Sequence, residues 1–235
     1  PRVRRQRQMC IRDSLWIGTS DGGLNYYDNA SQLYKNYLFN SGNLDVPFKD
    51  IKTVYVDEVQ DRIYVGAHAG GMMVLHRKSG YIEYYNRHNS NLPSNNIYSI
   101  ISDGYGGLWV ASLEYLLHFD IDKRNFTIVD VDEDGHKLQQ YNRLLFCDSK
   151  KRIWAGGEMG ISVFNQVGTS LLPNTDFQIA SVLKQAFVNC FYETSSGYLW
   201  IGTRNGLFAL KESDKQFLQY TTENGLPSNV IYGIL

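Results

Sequence analysis

Five segments of the chain share one short pattern, and their spacing restricts the fold more than any other property. They are Leu15-Trp16-Ile17-Gly18-Thr19, Ile63-Tyr64-Val65-Gly66-Ala67, Leu108-Trp109-Val110-Ala111-Ser112, Ile153-Trp154-Ala155-Gly156-Gly157 and Leu199-Trp200-Ile201-Gly202-Thr203. The aromatic anchors Trp16, Tyr64, Trp109, Trp154 and Trp200 lie 48, 45, 45 and 46 residues apart. A fixed period in this range, made of short strands, marks a propeller blade or a solenoid unit.

The order of signals inside each period separates these two. An apolar run precedes each of the last four anchors (Ile51–Val56, Ile97–Ile101, Leu144–Cys147, Val188–Tyr192), followed by a polar turn such as Asp103-Gly104-Tyr105-Gly106-Gly107. A glycine-containing turn then leads to a third run, as in Gly206-Leu207-Phe208-Ala209-Leu210, and a fourth closes the unit, as in Phe217–Tyr220. Four short antiparallel strands per unit make a propeller blade and fit a solenoid poorly. The glycine within the anchor strand (Gly18, Gly66, Gly156, Gly202) reads as a place where a neighbouring blade comes close. We therefore expect an all-β chain: a β-propeller fragment of four complete four-stranded blades, beginning near residues 48, 96, 142 and 187, with partial first and last units. Residues 1–14 do not continue the repeat, and Gln8–Ser14 reads as translated adaptor, so the propeller is placed at 15–235 and 1–14 is set apart as non-native. With unit one short of its inner strand, the simplest relief of two bare edges is for 229–235 to pair beside Leu15–Thr19 and close a ring.

The aromatic content, 17 Tyr, 11 Phe and 4 Trp, suits pleated, half-buried surfaces. A net charge of -1 leaves no electrostatic footprint for nucleic acid. No run approaches the roughly 20 apolar residues that span a bilayer, and no apolar stretch follows the basic N-terminus as in a secretory signal. Cys10, Cys147 and Cys190 have no metal-binding spacing and read as buried thiols.

At this point the residues resemble a known family. Asn224-Gly225-Leu226-Pro227-Ser228-Asn229-Val230-Ile231-Tyr232, its counterpart Asn91-Leu92-Pro93-Ser94-Asn95-Asn96-Ile97-Tyr98 and the Leu-Trp-Ile-Gly-Thr anchors are similar to the two-component regulator propeller repeat. The resemblance runs over residues 15–235. It implies the periplasmic sensor of a Bacteroidetes hybrid two-component histidine kinase, with further propeller blades and downstream signalling domains in the parent chain. It also implies a small carbohydrate ligand, commonly a glycan oligosaccharide, and a homodimer. Two repeats depart from the pattern. Leu113-Glu114-Tyr115-Leu116 stands where the third should have a glycine turn, and the fourth is irregular over Gln166–Gln178.

Geometry places the candidate site. In a four-stranded blade, the loop between second and third strands and the loop entering the next blade lie at one end. That face carries Asp21, His68, Glu114, Tyr115, Glu158, Arg204 and Asn205 from the former loops, and Asn95, Asn142, Arg143 and Asn229 from the latter. Positions that differ between repeats suit a ligand better than the shared Leu, Trp and Gly, which the fold itself requires. Tyr115 and Arg204 have the chemistry to stack on and hydrogen-bond a sugar. The plain alternative for each residue is a solvated loop side chain.

Asp130, Asp132 and Asp134, followed by Gly135, match the opening of a calcium loop, but Tyr141 stands where a bidentate Glu is needed. A simple turn accounts for the stretch, so neither metal nor cofactor is expected. Signatures of zinc hydrolases, serine hydrolases and phosphate loops are missing from the sequence, and no catalytic residue is assigned. A protein-interaction scaffold, or a propeller lyase or glycoside-acting enzyme with a facing carboxylate pair, remains as the alternative to a sensor.

Overall fold

The computed structural model describes residues 7–11, 14–37, 48–129, 142–174, 183–211 and 216–235. They divide into two compact units, Pro1–Thr127 and Ile128–Leu235.

The first unit holds three antiparallel sheets, each with its strands in chain order. They are β1 (Arg7–Ile11), β2 (Ser14–Gly18), β3 (Leu24–Asp28) and β4 (Leu33–Asn36); β5 (Ile51–Asp57), β6 (Arg62–Ala67), β7 (Gly71–His76) and β8 (Ile82–Tyr85); and β9 (Ile97–Ser102), β10 (Leu108–Ser112), β11 (Leu116–Asp120) and β12 (Asn125–Ile128). The second unit holds two: β13 (Asn142–Cys147), β14 (Arg152–Gly157), β15 (Gly160–Val167) and β16 (Ser170–Pro173); then β17 (Val188–Glu193), β18 (Tyr198–Thr203), β19 (Gly206–Lys211) and β20 (Gln216–Tyr220). The expected starts of the four complete blades fall on β5, β9, β13 and β17. Every anchor lies on the second strand of its sheet.

Burial explains the sequence pattern. The middle strands are covered on both faces, so β10 is buried at all five positions and reads as a continuous apolar run. Outer strands have one face free, and β12 buries only Phe126. Trp16, Tyr64, Trp109 and Trp154 are each at most 2% exposed. Three of them pack towards the following sheet: Trp16 with Ile51 and Val65, Tyr64 with Ile97 and Val110, Trp154 with Val188 and Ile201. Trp200 is only half-buried, resting against Tyr220.

The anchor-strand glycines do admit the neighbouring sheet. A Cβ at Gly18 would stand 2.5 Å from Ile51 Cγ2, and one at Gly66 2.5 Å from Ile97 Cγ2. At Gly156 it would meet Val188 Cγ1 at 3.0 Å, and at Gly202 Ile231 Cγ2 at 2.8 Å. Gly66→Ala is therefore expected to cost about 1 to 3 kcal/mol by overpacking. A lower urea midpoint at unchanged m-value would show it, and an unmoved midpoint would contradict it.

Two expectations need correction. The first sheet is complete, because Arg7–Ile11 pairs antiparallel with Ser14–Gly18, from Arg7 opposite Gly18 to Ile11 opposite Ser14. An open strand edge carries unpaired N–H and C=O groups, and an adjacent extended segment satisfies them whether or not its side chains follow the repeat. That pairing occupies the edge proposed for ring closure, and residues 229–235 form no ladder. Instead Ile231 N donates to Thr203 O at 2.8 Å, as Ile51 N does to Thr19 O at 2.8 Å. Asn229–Ile231 thus docks on the fifth sheet in the way that the start of β5 docks on the first.

Candidate functional site

In the first, third and fifth repeats the loop after the anchor strand is shaped by a hydroxyl at the strand end. Thr19 Oγ1 accepts from Gly22 N at 2.9 Å, and Thr203 Oγ1 accepts from Asn205 N at 2.9 Å while donating to Gly206 O at 2.8 Å. The third repeat, which lacks the glycine turn, uses the same device. Ser112 Oγ accepts from Tyr115 N at 3.2 Å and donates to Tyr115 O at 3.1 Å. These local bonds replace a ladder where the chain reverses. They hold Asp21, Glu114, Arg204 and Asn205 out as exposed side chains.

In the first unit, His68 is exposed, with its ring 6.4 Å from that of Tyr98. Tyr115 is half-buried against the core between the second and third sheets, so its ring serves packing as well as surface. Asn95 has a scaffold role: its carbonyl accepts from Gly71 N at 2.7 Å and its Oδ1 from Arg87 N at 2.9 Å. Asn229 does the same in the second unit, accepting from Gly206 N at 2.7 Å and, through Oδ1, from Thr222 N at 2.8 Å. Both brace the crossover into the next blade.

The second unit brings four side chains together. Arg143, on β13, pairs with Glu158 in the β14–β15 loop, Nη2 to Oε1 at 2.6 Å. Arg204, in the β18–β19 loop, lays its guanidinium 3.7 Å from the centroid of the Phe187 ring, with Arg143 6.0 Å from the same ring. Arg204 N donates to Phe187 O at 3.1 Å, so the stack sits on a cross-strand pair that extends the β17–β18 ladder. A guanidinium stacked on an aromatic face keeps its N–H groups in the plane, pointing outward, where they suit oxygen acceptors. Phe187 was not singled out from the sequence, though it directly precedes β17. The side chain of Asn142, and Asp130, Asp132 and Asp134, lie outside the described residues. Among the described residues no group of His, Cys, Asp and Glu is placed to hold a metal. Cys147 and Cys190 form no disulfide and are half-buried rather than buried as expected, and burial raises the Cys147 thiol above its ordinary pKa.

Sheets of four antiparallel strands, with neighbouring sheets locked through glycine notches, define a β-propeller. The solved structures agree. The extracellular domains of two proteins assigned to hybrid two-component systems of B. thetaiotaomicron match with TM-scores of 0.77 and 0.71, at 19% and 21% identity. They cover 96% and 94% of this chain, which spans 29% and 30% of theirs. PorZ, a surface component of the type-IX secretion system of Porphyromonas gingivalis, matches with a TM-score of 0.74 at 17% identity, over 96% of this chain and 35% of its own. The model of the two-component regulator propeller family matches residues 91–114 and 183–205. Each match runs from a crossover through the anchor strand into the candidate loop. No curated protein matches by sequence. Among the described residues no helix is long and apolar enough to cross a membrane.

Proposed function

We propose that this chain is part of the extracytoplasmic sensing propeller of a hybrid two-component histidine kinase, that it binds a glycan-derived oligosaccharide in the periplasm, and that it does no chemistry itself. The observation that carries the reading is the Arg204 guanidinium stacked on Phe187 beside the Arg143–Glu158 pair, at the loop end of the blades. A pre-positioned planar donor and a neighbouring carboxylate suit ring hydroxyls, and neither is tuned for nucleophilic attack. The repeat family and the likeness to sensor extracellular domains support the same direction. Transmission requires that ligand favour one of two arrangements of the propeller against further blades, downstream domains or a second protomer. A second reading, an interaction scaffold at the cell surface, draws on the likeness to PorZ.

Calorimetry against an oligosaccharide panel, with chromatography of the recovered sugar, tests this. Binding of an intact oligosaccharide is expected, weakened at least about tenfold, roughly 1.4 kcal/mol, by Arg143→Ala with Arg204→Ala at unchanged thermal stability. Turnover abolished by one carboxylate substitution would replace the sensor with an enzyme, and a panel without binders would favour the scaffold.

A further inference from the structure

Charge on the loop face of the second unit is not balanced. Glu158 and Arg204 hold the same place in successive repeats, each four residues after its anchor, Trp154 or Trp200. Glu158 is answered within its own blade, because Arg143 Nη2 reaches its Oε1 at 2.6 Å. Arg204 is exposed, and among the described residues it makes no ion pair. The elements beside its loop add Glu223, exposed in the turn Thr222–Asn224, and Lys184, exposed in the segment that leads to β17. That segment crosses close to the Glu158 loop, since a Cβ at Gly160 would stand 2.4 Å from Lys184 O. Three cations, Arg143, Lys184 and Arg204, therefore stand against two carboxylates, Glu158 and Glu223.

The unanswered cation is also the one held in place. The Arg204 guanidinium lies 3.7 Å from the centroid of Phe187, and its backbone N donates to Phe187 O at 3.1 Å. An exposed arginine ordinarily gives up rotamer freedom when it takes a ligand, and the stack has restricted that freedom beforehand. Its N–H groups stay in the plane of the guanidinium, at the rim of the aromatic face, as a fork that matches two oxygens of one anionic group. A sugar hydroxyl engages such a fork through ordinary hydrogen bonds and leaves the charge unanswered. An ionised acceptor answers the charge and forms bonds roughly twice as strong.

We infer that the oligosaccharide taken by this site is acidic, carrying a carboxylate or sulfate that the Arg204 fork holds while Phe187 backs the guanidinium and Glu158 accepts ring hydroxyls. The inference rests on the sensor reading above and adds the charge of the ligand to it. Its test is calorimetric titration of the chain with matched disaccharides of galactose, glucose and mannose. Each set comprises the uronate, the neutral sugar obtained by reducing its carboxyl groups, and that neutral sugar sulfated at O6. In at least one set the uronate or the sulfate is expected to bind at least tenfold more tightly than the neutral member. Arg204→Ala should bring that preference within twofold at an unchanged thermal midpoint, and Arg204→Lys, which keeps the charge without the fork, should fall between. Added salt should narrow the preference, because the site is exposed. Preference for the uronate alone assigns a carboxylate, for the sulfate alone a sulfate, and for both the shared chemistry. A neutral sugar bound within twofold of its acidic forms, or a preference undiminished in Arg204→Ala, overturns the inference and leaves the sensor reading standing. Binding by no member of any set overturns both.

Discussion

Trp154→Ala is expected to lower the stability of the chain by about 3 to 5 kcal/mol, the range for truncating a fully buried large aromatic. Trp154 is 0% exposed and sits among Ile161, Val188, Ile201 and Phe208, in the core shared by the fourth and fifth sheets. Truncation would empty the largest side chain of that core. It would also withdraw the indole N–H from Asp148 Oδ2, leaving Arg152 Nε on that oxygen. Trp109, equally buried, should behave alike. Chemical denaturation measures the effect, and a loss below about 1 kcal/mol would mean that the anchor is not core.

Asp103→Ala should cost a similar amount for a different reason. The Asp103 side chain is 1% exposed and pairs through Oδ2 with His118 Nε2 at 2.7 Å. Its Oδ1 accepts from Tyr105 N at 2.7 Å and Gly107 N at 2.8 Å, which shapes the turn between β9 and β10. Removing one partner of a buried pair strands the other, a loss of about 3 to 5 kcal/mol. His118 would be left against Trp109, whose ring lies 4.8 Å away in edge contact, with no carboxylate to answer it. Asp103→Asn, which preserves shape and one acceptor, should lose clearly less. Equal losses in the two variants would show that the turn tolerates neither and that the pair with His118 is not what matters.

The blade boundaries were legible because they depend on periodicity, and the period survives changes in individual side chains. The first sheet was misread for the complementary reason. The pairing of Arg7–Ile11 is a backbone event, satisfied by an extended segment beside an open edge, and side-chain pattern carries no trace of it. On the loop face, Arg143, Glu158 and Arg204 were found by position, and the structure groups them. Phe187 was missed because a lone aromatic before a strand reads as core. Asn95 and Asn229 were chosen by position although both end the same Leu-Pro-Ser-Asn motif, and that identity was the clue to their shared role in bracing the crossover. Tyr64 was read as one more anchor, and it is as fully buried as Trp109 and Trp154 at the equivalent position.

The glycine notches also set how the propeller deforms. At Gly66 the contact is backbone against Ile97 Cγ2, and at Gly202 backbone against Ile231. A joint between two long side chains yields by changing rotamers, whereas glycine has no side chain to rotate and its partner is branched at Cβ, with χ1 already restricted. Such a joint has little compliance. A displacement imposed on one sheet is passed to the next nearly undiminished, while the hydroxyl-pinned loops beyond the strand ends remain the softer part. In either unit, therefore, force applied at a loop dissipates locally until it moves a strand, and from there it travels sheet to sheet as rigid-body motion.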